Sequence, residues 1–84
     1  MIDRYNNSSD EALDEIESLI SRIVIHEDKL SEFRKIIKDA RSRKTVPILG
    51  IQYKLLEYRR KYNIVEEFSE DEKEMMRDYM DLWG

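Results

Sequence analysis

Cysteine is missing from the chain, which excludes disulfides, thiolate metal sites and a cysteine nucleophile together. Proline occurs once and glycine twice in 84 residues, too few for the turns of a many-stranded sheet and too few for a glycine-rich phosphate loop. Histidine also occurs once. His26 and Glu27 open the stretch HEDKL, but Leu30 stands where the second histidine of an H-E-x-x-H zinc motif must be. Apolar runs reach only three residues, as at Ile23 to Ile25, far short of a bilayer span. The opening MIDRYNNSSDEALDEIE has neither the basic start nor the apolar centre of a signal peptide. The expectation is a soluble, cytoplasmic protein without membrane, metal or cofactor.

What the chain has is charge. Charged residues make up 40% of it, the profile of solvated helices rather than of strands. The predicted fold class is all-α, with residues 1–84 as a single domain. So small a domain gains limited hydrophobic support, and with disulfides excluded, self-association is the remaining way to add core.

Residues 1–8 are polar and without period, and read as a flexible arm. Ser8 and Glu11 have capping-box spacing, so a helix begins beside them. Apolar positions then alternate in steps of three and four through Ile16, Leu19, Ile23, His26, Leu30, Phe33, Ile37 and Ala40, with no Gly or Pro between residues 9 and 45. This predicts one continuous helix over 9–44, about 52 Å long at 1.5 Å per residue. Pro47 starts a second helix, 47–62, with Ile48, Ile51, Leu55, Tyr58 and Tyr62 on one side and Asn63 as a left-handed terminator. Ser69 and Glu72 repeat the capping box ahead of a third, 69–83, whose stripe is Met76, Tyr79, Met80 and Trp83. Gly50 inside the second helix marks either a close contact or a tolerated weakness. The expected arrangement is three antiparallel helices, a long one and two shorter ones. Because two short helices cannot cover the long stripe, Ile16, Leu19, Ile20 and Ile23 are left for a second copy, and a dimer through the first helix follows.

Bases and acids are segregated along the chain. Residues 1–33 carry three bases and nine acids, residues 34–61 ten and two, and residues 62–84 two and eight. Part of this suits the helix dipole, and two antiparallel first helices would set each acidic half against the partner's basic half. The functional reading is a recognition surface for a larger protein with an acidic face. It uses Lys38, Arg41, Arg43, Lys44, Arg59 and Arg60, with Met80 and Trp83 as apolar anchors. Tyr53, Tyr58 and Tyr62 interleave with bases and suggest nucleic-acid binding as an alternative.

The layout also resembles the all-helical chorismate mutases: a long first helix, a loop at Val46, Pro47 and Ile48, and two shorter helices. The resemblance implies intertwined dimers and, as a further alternative function, a mutase-like enzyme with a degenerate site, which a closed pocket lined by Arg22, Arg41 or Lys44 would support. Only Arg41 matches the family's cations. The other family positions fall near Leu13 and Leu30 and on Gly50, Tyr53 and Lys54, and the last lies beyond Gly84. The function expected from the residues is therefore a non-enzymatic helical interaction module that binds and modulates a macromolecular partner, without catalytic residues.

Overall fold

The computed structural model describes residues 4–84, which form a 3-10 turn at Arg4–Asn6 and four α-helices: α1 (Ser9–Ile23), α2 (Glu27–Arg43), α3 (Ile48–Lys61) and α4 (Glu70–Trp83). The fold is all-α, as the composition requires. Both serine caps form in full: the Glu11 and Glu72 amides donate to Ser8 and Ser69 Oγ, and their carboxylates accept the Ser8 and Ser69 amides at 3.1 and 2.7 Å. Asn63 takes φ 53° and ends α3, with the Ile64 amide returning to the Arg59 carbonyl at 2.9 Å.

The long first helix is corrected. The seam residues lie on the expected side, but the helix breaks at residues 24–26 and doubles back. The run Ile23, Val24, Ile25 is β-branched throughout, so helix continuation is weakly favoured there, and Glu27 and Asp28 suit a new N-terminus. His26, expected as a seam residue, occupies the N-cap of α2 without a side-chain cap bond. A phenol from α3 holds the corner instead. The Tyr58 hydroxyl accepts the Ile25 amide at 3.1 Å and lies 2.6 Å from His26 Nδ1, while Tyr62 stacks on the imidazole at 3.9 Å between centroids.

Doubling back places the acidic start of α1 beside the basic end of α2. Arg41 meets Asp14 at 2.6 Å, Asp10 at 3.5 Å and Glu17 at 3.7 Å. The match expected between two chains is thus made within one. At the other end of α1, Arg22 clamps the start of α4 through Glu72 and, at 2.6 Å, Glu66. Glu32 on α2 reaches Lys54 on α3 at 3.7 Å. The three pairings set α1 against both α2 and α4, and α2 against α3. Four helices stand in place of the three expected.

Ile16, Leu19, Ile20 and Ile23 are 0–2% exposed within the single chain, packed in one core with Phe33, Ile37, Ile51, Leu55 and Tyr79. The stripe that called for a second copy is already covered. The arm expected over 1–8 begins outside the described residues; from Arg4 onward, Arg4 and Asn7 are tied to the helices, while Tyr5, Asn6 and Ser8 are exposed. Arg4 is 3% exposed, held by Glu15 at 3.1 Å and Asp78 at 3.2 Å, and Asn7 donates to Glu15 and to the Tyr79 hydroxyl. A guanidinium with two carboxylates is a buried charge that is fully paired, the condition for tolerating it. Burial and the adjacent Glu15 carboxylate push the Tyr79 phenol up to about 12.

Candidate functional site

α3 has two apolar faces. Ile48, Ile51, Leu55 and Tyr58 point inward and are 0–4% exposed. Leu49, Tyr53 and Leu56 recur at i, i+4 and i+7, within about 60° of one another at 100° per residue, and point outward. They are 52%, 69% and 44% exposed. One apolar face suffices to hold a helix in a bundle, so the second is without a structural partner in this chain.

The outer face runs into a groove between α3 and α4. Three recesses share Gln52: a 190 Å³ hollow among Leu49, Tyr53 and Leu56, a 120 Å³ one over Leu55, Phe68 and Met76, and a 310 Å³ one bounded by Met76, Met80 and Arg77. Phe68 enters from the α3–α4 connection. Arg59 lies over its ring at 4.9 Å and donates to the Glu66 carbonyl at 2.8 Å. These interactions place the guanidinium on the groove wall without a carboxylate to neutralise it.

The residues expected to bind a partner are not brought together. Arg59 and Met80 line the groove. Trp83 packs half-buried against the core. Arg41 is spent on α1, and Arg43 pairs with Asp39 one turn back at 3.2 Å. Lys44 closes α2 in the left-handed conformation, φ 53°, with the Lys44 and Thr45 amides both reaching the Ala40 carbonyl. Lys44 and Arg60 stand at opposite ends of α3, roughly 20 Å apart along its axis. Lys38 stays exposed on α2 beside Arg34 and Lys35, and among the described residues none of these three makes an ion pair.

The tyrosine series also divides: Tyr53 faces outward, Tyr58 is buried, and Tyr62 is covered by His26. The resemblance to chorismate mutases rested on an unbroken first helix, which α1 and α2 replace. Of its pocket cations, Arg22 and Arg41 are committed to inter-helix ion pairs. A further recess of 160 Å³ between α2 and α3 has Lys29, Lys54 and Lys61 around Phe33 and Tyr58, with Glu32 taking both Lys29 and Lys54.

Sequence reasoning missed Leu49, Gln52, Tyr53, Leu56, Phe68 and Arg77 as a group. The available signal was the 49, 53, 56 spacing on a helix whose inner face was already accounted for. Compared with known proteins, the chain has no matching family model, curated protein or solved structure.

Proposed function

We propose that this chain is a non-enzymatic helical interaction module that binds a larger macromolecular partner through the outer face of α3 and the α3–α4 groove. The observation that carries the reading is the second apolar face: Leu49, Tyr53 and Leu56 at helical spacing, contiguous with a groove and unneeded by the core. Covering these three side chains completely would contribute roughly 6 kcal/mol, given about 25 cal/mol per Å² of apolar surface removed from water. The clustered charges around Arg4, Arg22 and Arg41 are taken up in ion pairs between elements of the fold. In co-purification from the native host, a bound protein should be lost when Tyr53→Ser and Leu56→Gln are combined while circular dichroism stays unchanged. The same protein retained by that variant would refute the surface.

A second reading, nucleic-acid binding, draws on exposed Arg34, Lys35 and Lys38. It predicts that log affinity for a generic duplex falls linearly with log salt and that changing these three to Gln flattens the slope.

A further inference from the structure

The charges around the groove define what fits it. Residues 62–84 hold eight acids and two bases, and both bases, Lys73 and Arg77, line the groove, whereas of the eight acids only Asp81 does. Arg59 adds a third cation from α3. Among the described residues neither Arg59 nor Arg77 makes an ion pair, and Lys73 meets only the exposed Glu70 at 3.5 Å. Both cations of residues 62–84 therefore lie on the cleft between α3 and α4. Arg60 continues the outer stripe beyond Leu56 and, among the described residues, makes no ion pair either.

We infer that the groove receives an amphipathic helix from another protein, one whose apolar stripe is flanked by Asp and Glu. The inference rests on the docking reading above. Leu49 to Leu56 spans about 10 Å, two helical turns, which matches anchors at i, i+4 and i+7 on an incoming helix. Carboxylates beside those anchors would come close to Arg59 and Arg77, inside the screening length of about 8 Å at physiological salt, so the protein's net charge of -4 does not govern the contact. A second copy of this chain is the poorer occupant. Packing groove on groove would bring Arg59, Arg60, Lys73 and Arg77 against their own kind, and like charges across an interface are strongly disfavoured.

The test uses the full chain and a displayed library of 18-residue helices with leucine at i, i+4 and i+7 and flanking positions free to be Glu, Gln or Lys. Selected sequences should be richer in Glu than in Lys by about tenfold, and their affinity should fall by about tenfold in Leu56→Gln, an anchor loss worth that much at a well-packed contact. In Arg77→Glu the preference should shift toward Lys. Circular dichroism establishes that each variant is folded. Binders lost in Leu56→Gln but indifferent to flank charge would overturn the acidic partner while leaving the docking face standing. Binders unaffected by Leu56→Gln, or no enrichment at all, would overturn both. A dimer in light scattering that Leu56→Gln dissociates would assign the groove to a second copy and likewise overturn the inference.

Discussion

The phenol of Tyr58 reaches from α3 into the corner between α1 and α2, where the Ile25 amide lies between the two helices and donates to it. Its oxygen accepts the Ile25 amide and shares a hydrogen bond with His26 Nδ1. Both bonds are part-buried, so removing the oxygen leaves both groups without this partner. Tyr58→Phe should lower stability by about 1–2 kcal/mol, the usual cost of orphaning a buried polar group, read as a lower urea midpoint at unchanged m-value. An unchanged midpoint would mean that the break between α1 and α2 is held by side-chain packing alone. Arg41 plays the complementary role at the far end of the same helix pair, joining charges that lie 27 and 31 residues apart in sequence.

At the scale of the helix, Gly50 is the feature of α3 that packing does not explain. A Cβ built there meets nothing within 4 Å, so the close internal contact that a helical glycine suggests is not present. Its φ is not positive, so no special backbone conformation calls for it either. Gly50→Ala should therefore stabilise the free protein by about 0.5–1 kcal/mol through helix propensity, seen as a raised Tm. If a partner helix approaches α3 closely on this side, the same substitution should weaken partner binding while raising Tm. A raised Tm with unchanged binding would place the partner away from Gly50.

For the whole molecule, two solution measurements follow. Since Ile16, Leu19, Ile20 and Ile23 are covered within one chain, light scattering at micromolar concentration should return the mass of a single chain, 10.2 kDa. A dimer at those concentrations would require an interface other than this stripe. The second concerns acid. The Arg22 guanidinium holds the Glu72 carboxyl below its ordinary range, aided by the Ser69 cap. A carboxyl with a depressed folded pKa binds fewer protons folded than unfolded. Its contribution is therefore complete above the unfolded value of about 4.3 and disappears as pH falls through the folded one. Stability should decline below about pH 4.3, and Glu72→Gln should be less stable than the parent at pH 7 yet flatter across that window. A parallel decline in both proteins would assign acid sensitivity to other carboxylates.

The local determinants were legible in the residues themselves. Ser8 with Glu11 and Ser69 with Glu72 cap helices through bonds made within one turn, and Pro47 and Asn63 bound α3 by backbone preference alone. Apolar spacing pointed to Ile16 to Ile23 on α1, Phe33 to Ala40 on α2, Ile48 to Tyr58 on α3 and Met76 with Tyr79 on α4, but not to Ala12, Leu13 or Met75, which are also buried. Whether the first two runs formed one helix or two was not local. The β-branched Ile23, Val24 and Ile25 disfavour a helix only by tenths of a kcal/mol each, far less than burying four isoleucine and leucine side chains in the chain's own core. That burial, with Tyr58 closing the corner from more than thirty residues away, selected the fold-back. The same long-range step paired Arg41 with α1, covered Tyr58 and Tyr62, and left Leu49, Tyr53 and Leu56 outside. The inner stripe of α3 is legible from its spacing, but that no neighbouring helix would cover the outer one was decided only when the helices packed together.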